Sequence, residues 1–192
     1  MSLFQDIKES QEGRDLSVRW FRSKVTSMGG QRMSAEQHIA EGNSTARPTY
    51  GTMNLFHYRP KTAKRLPYYD IFPLTIPVKR HRNGITGINF HYLSIPQRVK
   101  ILNILTEAFA DDAVEKLDMT WRQIQSYAPV RPMVHRYLAK QVDSLFLRLP
   151  IEDMLIAVLL PVQRFYKGPW NTRKQVSPLS VHRDSRNIMN AT

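Results

Sequence analysis

The sequence predicts an α+β protein in which a small antiparallel sheet, at about residues 52–92, packs with a C-terminal helical part. Two observations favour this class. Alternating apolar and polar residues flank an Asn83-Gly84 turn signal, and after Ser94 the apolar residues recur at helical spacing. We therefore divide the chain into an N-terminal helix and flexible arm at 1–50, one core domain at 51–168 and a basic tail at 169–192.

The first fifty residues predict little regular structure beyond two helices. Residues 14–28 have an imperfect apolar face, and Gly29-Gly30 would end that helix. Ser34 and Gln37 form a capping-box pattern for a short helix at 34–41, and residues 42–51 are typical of a linker. The whole segment either belongs to the folded domain or is an arm that becomes ordered only when it binds its partner.

The predicted sheet begins with a strand at 52–59, followed by a basic loop at 60–67. Residues 68–77 are rich in aromatic and β-branched side chains, but Pro73 and Pro77 favour an edge or bulged strand rather than a central one. Residues 79–84 form the predicted hairpin turn, and residues 85–92 return as a strand.

Helices are predicted for most of the remaining core. Ser94 caps the first, which has Pro96 in its first turn, and Asp118 caps the second at 119–127. Pro132 opens the third, in which Val134, Tyr137, Leu138 and Val142 face inward. Residues 145–149 are ambiguous, residues 150–161 predict a buried helix, and the tail after Gly168 is expected to be mobile.

Composition excludes several functional classes. The chain has no cysteine, so it has no disulfide scaffold, thiolate zinc site or cysteine nucleophile. The longest apolar stretch, residues 154–162, is too short to cross a bilayer, and no basic amphipathic helix with a clean apolar face indicates membrane binding.

Charge points to a polyanionic partner. The net charge is +12, and residues 51–100 carry nine Lys or Arg residues against the single acid Asp70. Two thirds of the net charge therefore lies in one segment, as phosphate neutralisation requires. Nucleic acid is favoured, and the contrary interpretation is an ordinary solvated charged surface.

The candidate nucleic-acid-binding residues lie in the two basic loops and beside them. The cations would contact phosphates without reading sequence, and one tyrosine would stack on a base; the alternative is that the aromatic residues of alternating strands belong to the core. These residues are Arg59, Lys61, Lys64, Arg65, Lys79, Arg80, Arg82 and Tyr69.

Catalysis and metal binding have no positive support in the sequence, so we expect neither an enzyme nor a cofactor nor a small-molecule substrate. His57 and His91 lie on neighbouring predicted strands, with His81 in the turn, but no carboxylate stands at ligand spacing. The acids Asp111, Asp112, Glu115 and Asp118 are dense enough for a nuclease, but they fall at predicted helix ends, where acids are common.

Several strings resemble one family of proteins: FHYRPK at 56–61, LPYYD at 66–70, FPL at 72–74, GINFHYL at 87–93, AVLLPVQRF at 157–165 and Trp170-Asn171. Over about residues 50–175 the chain resembles the small virion proteins, of the DNA-end protector or head-completion type, of T-even-like tailed bacteriophages. The turn KRHRNG and Gln163 depart from the family pattern, which has a glycine-flanked turn and a glutamate there.

The resemblance implies a noncatalytic virion protein that protects the ends of packaged linear DNA from exonuclease. It implies DNA and other virion proteins as partners, and the virion and the host cytoplasm as locations. A structural head, neck or baseplate component that acts through protein contacts remains the alternative, with a small nuclease third.

Overall fold

The computed structural model describes residues 44–109, 122, 124, 127–149, 154, 157–159 and 163–191. The predicted helices at 14–28 and 34–41 and the acid cluster at 111–118 lie outside these residues. Arg122 and Ile124 are helical, as predicted, but the rest of the helix predicted at 119–127 lies almost entirely outside them too.

The α+β class is confirmed, with antiparallel strands in two sheets and helices packed on them. The strands of the described residues are β1 Ser44–Thr45, β2 Met53–Leu55, β3 Tyr69–Asp70, β4 Leu74–His81, β5 Gly84–Asn89, β6 Val134–Leu138, β7 Phe146–Leu149, β8 Phe165–Lys167 and β9 Lys174–Val176. One sheet has the order β1-β7-β2-β4-β5-β6, and the other has the order β3-β8-β9. Part of the predicted linker at 42–51 is therefore a strand, because β1 pairs with β7.

The predicted hairpin is confirmed, but its turn lies one residue earlier than expected. His81 pairs with Gly84, so Arg82 and Asn83 form the turn. Gly84 has a φ of 154°, and a Cβ atom there would clash with the carbonyl oxygen of Tyr137 on β6. Glycine is thus required because a third strand lies against this position.

Strand β4 is central in the sheet, so the prediction of an edge position was wrong. The predicted bulge is present, between Pro77 and Lys79. Within the described residues, strand β2 pairs with β4 at Leu74 and Thr75 alone. Pro77 lies beyond that pairing, where β4 is paired with β5, and its missing N–H is therefore tolerated.

The helix predicted from Pro132 was also wrong. Residues Ala128–Met133 form a 3-10 helix, and the chain then continues as β6, which pairs with β5 from Ile88↔Val134 to Gly84↔Leu138. The helical spacing of Val134, Tyr137 and Leu138 was coincidental. The open edge of β5 offers a ladder of hydrogen bonds that local periodicity does not reveal.

The main core lies between the six-stranded sheet and helix α1, Ile95–Phe109. The helix begins after Ser94, as predicted, and Oε1 of Gln97 accepts hydrogen bonds from the Ser94 N–H and, over 2.7 Å, from the Ser94 hydroxyl. The capping box predicted at Ser34 and Gln37 lies outside the described residues. The apolar face of α1 is buried, as predicted, at Val99, Ile101, Leu102 and Leu105. Met154 and residues 157–159 are helical and buried, in agreement with the predicted buried helix.

The prediction of a mobile C-terminal tail was wrong. It contains β9 and helix α2, Pro178–Asn190, which buries Val181, His182 and Ser185 against the domain. Only a narrow stripe of this helix is buried, which is why its sequence is similar to a polar tail. None of the described helices has the length and apolar character needed to span a bilayer.

Candidate nucleic-acid interface

The predicted cations Arg59, Lys61, Lys64, Arg65, Lys79, Arg80 and Arg82 are all exposed. Four of them, Lys61, Lys64, Arg80 and Arg82, line three clefts of the described surface. We call these the hairpin cleft, the tyrosine cleft and the lysine cleft, and describe each from its residues.

The hairpin cleft, of about 560 Å³, lies beside the β4–β5 turn and carries the cations Arg47, Arg80 and Arg82. Tyr50 stands at its edge with 37% of its surface exposed. Burial raises the pKa of the Tyr50 hydroxyl, and the positive charge of Arg80 opposes that rise. An exposed aromatic ring beside an arginine is a typical combination in sites for single-stranded nucleic acid.

The tyrosine cleft, of about 680 Å³, carries the cations Lys61, Arg131 and Arg136. Arg136 donates a hydrogen bond of 2.8 Å to the side chain of Asn83, which ties β6 to the hairpin turn. Aromatic side chains form much of the wall of this cleft: Tyr58, Tyr68, Tyr69, Tyr92, His135 and Tyr137.

The lysine cleft, of about 370 Å³, carries Lys64, Lys167 and Lys174. Lys167 and Lys174 are cross-strand partners in the β8–β9 pair. Lys64 comes from the 3-10 helix Ala63–Arg65 in the predicted basic loop. Like charges directly opposite each other in a sheet destabilise it unless an anion compensates them, so this cleft favours a bound anion.

Neighbouring clefts share lining residues. The hairpin and tyrosine clefts share Tyr137, and the tyrosine and lysine clefts share Leu66 and Pro67. Three cations from each cleft make nine in all, and we call this set the basic face. Its members are Arg47, Lys61, Lys64, Arg80, Arg82, Arg131, Arg136, Lys167 and Lys174. Clefts lined by one sign of charge focus the field and attract the opposite charge.

Asp70 is the one carboxylate among the described residues that line these clefts, and it is buried. Its Oδ2 atom lies 2.7 Å from Nδ1 of His91 and accepts from Asn89, while Oδ1 accepts from the Phe72 N–H. Burial opposes ionisation, but His91 and these hydrogen bonds outweigh it and lower the pKa of Asp70. Both carboxylate oxygen atoms of Asp70 therefore already have partners in the protein interior. Asp70 thus does not neutralise the cations of the basic face.

Three predicted cations, Arg59, Arg65 and Lys79, line none of the three clefts. Arg59 has an intramolecular role. Its Nε atom lies 3.0 Å from Oδ2 of Asp143, and its guanidinium carbon lies 4.7 Å from the ring centroid of Trp170. Arg59 therefore holds the loop to the core more than it offers charge to a ligand.

Tyr69 is only 3% exposed, and its hydroxyl donates to the carbonyl oxygen of Gly168 over 3.2 Å. Tyr69 lines the tyrosine cleft, but like Tyr92 and Tyr137 it is almost wholly buried. Among the tyrosines that line the clefts, Tyr50 and Tyr68 are the more exposed, and no local pattern of residues distinguishes them from Tyr69.

Sequence reasoning missed five members of the basic face. Arg131 and Arg136 lie in or beside the segment that was predicted as a helix, and Lys167 and Lys174 adjoin or belong to the predicted tail. Arg47 lies in the predicted linker. No local signal identifies them, because β6, β8 and β9 bring most of them to the clefts by long-range pairing.

Among the described residues, His57 and His91 do not meet as a metal centre would require. His91 is buried against Asp70, whereas Nδ1 of His57 lies 3.5 Å from Asp143. In the part of the chain that the structure describes, no three His, Asp or Glu side chains gather closely enough to hold a metal ion.

Most residues of the family-like strings are structural. Phe56, Phe90 and His91 are completely buried, and the Asp70–Asn89–His91 network links the two sheets from within. Gln163 also has a structural role, because its Oε1 atom accepts a 2.6 Å hydrogen bond from the buried Arg98. These strings therefore specify the fold that supports the basic face.

A comparison with protein families gives one finding. The family described as Phage T4 terminal DNA protecting protein matches residues 7–178 of this chain. The search of curated proteins and the search of solved structures gave no match. The matched range spans nearly all of the residues that form both sheets and the three clefts, and the chain belongs to the phage T4 terminal DNA protecting protein family.

Proposed function

We propose that the protein binds DNA through the basic face and shields the ends of linear phage DNA from exonuclease. The bound protein blocks access of the exonuclease to the DNA end and catalyses no reaction itself. The proposal extends to a position on the packaged genome in the virion and on the same DNA in the host cytoplasm.

The basic face carries this proposal. Nine cations line three clefts that share lining residues, while Asp70, the one carboxylate among the described residues of those clefts, is buried and hydrogen-bonded. Lys and Arg side chains in such an arrangement contact phosphate oxygens, which fix position and supply affinity without reading bases. A protein that protects an end must accept whatever sequence is there, so this kind of contact suits the role.

The test is digestion of linear duplex DNA by an exonuclease in the presence of the purified protein. The wild-type protein should preserve the ends. A variant that combines Lys61→Glu, Lys64→Glu, Arg80→Glu and Arg82→Glu should lose protection, because each replacement puts repulsion in place of a phosphate contact.

A matched control reverses four exposed cations that line none of the clefts: Lys100, Arg122, Arg164 and Arg186. Its net charge equals that of the test variant, so retained protection would show that position matters and not total charge. Equal loss in both variants would contradict the proposal. Degradation of DNA by the protein itself on addition of magnesium would contradict its noncatalytic part.

A further inference from the structure

We infer that the tyrosine cleft receives an unpaired nucleotide from the DNA end, which gives the protein its preference for ends over internal duplex. This inference rests on the proposed function. It adds what the basic face cannot provide, which is a way to distinguish a DNA end from internal duplex. Phosphate contacts are the same at an end and in the middle of a duplex, so another site must distinguish the two.

The walls of the cleft suit a nucleobase. The rings of Tyr92 and His135 stack with their centroids 3.9 Å apart and an angle of 29° between their planes. The ring of Tyr68 lies with its centroid 6.0 Å from that of Tyr92. Tyr68 and His135 are half-buried, so part of each ring borders the cleft. Bases of any sequence stack on such rings, because every base has a π-face.

A buried hydroxyl in the same cleft lacks a partner among the described residues. Ser185, on helix α2, is 1% exposed and lines the cleft, and its Oγ atom makes no hydrogen bond with them. Unpaired buried polar groups cost free energy, and native proteins contain few of them. A base edge or sugar oxygen in the cleft would give Ser185 a hydrogen-bond partner.

The cations of the cleft supply the remaining contact. Arg131 and Arg136 are exposed, and they line the cleft together with Lys61 of the basic loop. Aromatic walls with a cationic rim would bind a base and its phosphate together. The hairpin and lysine clefts on either side would hold the backbone of the adjoining duplex.

Preference for an end follows from the state of the base. A base within a duplex is stacked and paired, and removing it costs a few kcal/mol, whereas an already unpaired base requires the least work. A terminal nucleotide, particularly in a short overhang, is therefore the natural occupant of the cleft.

The experiment measures competition between linear DNA with short single-stranded overhangs and a closed circle of the same sequence and length. The wild-type protein should prefer the linear form. Ser185→Ala should reduce that preference about threefold or more, as expected when one hydrogen bond is removed, with unchanged or higher thermal stability. Tyr68→Leu should reduce it about tenfold, as expected when one stacking interaction is removed.

The matched control is Tyr166→Leu, which alters a half-buried tyrosine of β8 that lines none of the clefts. This variant should keep the wild-type preference. The inference is overturned if both cleft variants retain the preference, or if they lose affinity for circle and linear DNA equally. In either case, continued binding of the protein to circular DNA at low salt would still support the proposed function. A wild-type protein that binds neither DNA form would refute the proposed function itself.

Discussion

At the level of single residues, two histidines with lowered pKa values make the fold sensitive to acid. His182 lies on the buried face of α2, and its Nε2 atom lies 3.1 Å from the carbonyl oxygen of His91. Burial, together with the charge of Arg98, lowers the pKa of His182 to about 4. Burial likewise lowers the pKa of His135 to about 4. Both side chains are therefore neutral in the folded protein at neutral pH.

The stability of the protein should fall as the pH falls from about 6.5 to about 4. In that window the unfolded chain, whose histidines titrate near 6.5, binds more protons than the folded protein, so protonation favours unfolding. The contribution of His182 is at most about 3 kcal/mol over the window. Asp70 affects stability at lower pH. Its pKa is lowered in the folded protein, so its contribution to the free energy of unfolding is lost only as the pH falls through that lowered pKa.

Thermal unfolding of the wild-type protein and His182→Gln between pH 7 and pH 4.5 checks this prediction. Glutamine keeps a donor for the His91 carbonyl but does not titrate, so the variant should lose stability less steeply on acidification. Identical pH profiles for the two proteins would show that His182 does not contribute.

At the scale of elements, helix α2 connects the C-terminal segment to the proposed DNA site. Val181 is fully buried in a cluster with Tyr92 and Phe165, and Ser185 of the same helix lines the tyrosine cleft. The helix therefore stabilises the small sheet and also forms part of the cleft wall.

Val181→Ala should lower the free energy of unfolding by about 2 kcal/mol, because it removes two buried methyl groups and leaves a cavity. Leu179→Ala, in the same helix, is the control. Leu179 is 78% exposed, so its replacement should change stability by less than about 0.5 kcal/mol. Denaturant unfolding of both variants measures the difference, and equal effects would contradict the docking of α2.

Elements that are encoded by neighbouring residues were predicted better than elements that form by pairing between distant segments. The β4–β5 hairpin, apart from the one-residue offset of its turn, and the start of α1 after Ser94 were predicted correctly because adjacent residues encode a hairpin turn and a helix N-cap. The identity of β6 was missed because its pairing with β5 joins Val134 to Ile88, far apart in the chain. Helix α2 was missed because its buried stripe contains His182 and Ser185 in place of large apolar residues.

At the scale of the whole molecule, the distribution of charge is the property on which the proposed function depends. The basic face gathers cations from segments that lie more than a hundred residues apart, from Arg47 to Lys174. Other exposed cations, such as Lys100 and Arg186, line none of its clefts. Binding should therefore depend on the fold as well as on the net charge of +12.

DNA binding should weaken steeply with salt, because each neutralised phosphate releases counterions. If about six of the nine cations contact phosphates, the slope of log affinity against log salt should be about −5. Replacing Lys167 and Lys174 with glutamine should reduce the magnitude of the slope by about one unit for each phosphate that is no longer neutralised. Affinity measurements from about 50 to 200 mM salt test this; a slope that the double variant leaves unchanged would remove the lysine cleft from the interface.

The class of fold, the β4–β5 hairpin, helix α1 and the concentration of charge in residues 51–100 could be predicted without coordinates, since each follows from neighbouring residues or from composition. The family could be identified in the same way, because the strings that contain Asp70 and His91 are long enough to resemble it. The folded structure was needed to learn which cations line the clefts, that Tyr69 is buried and that Ser185 lines one cleft with Tyr68 and His135. Those arrangements depend on strand pairing and helix docking between distant segments, and no local pattern of residues encodes them.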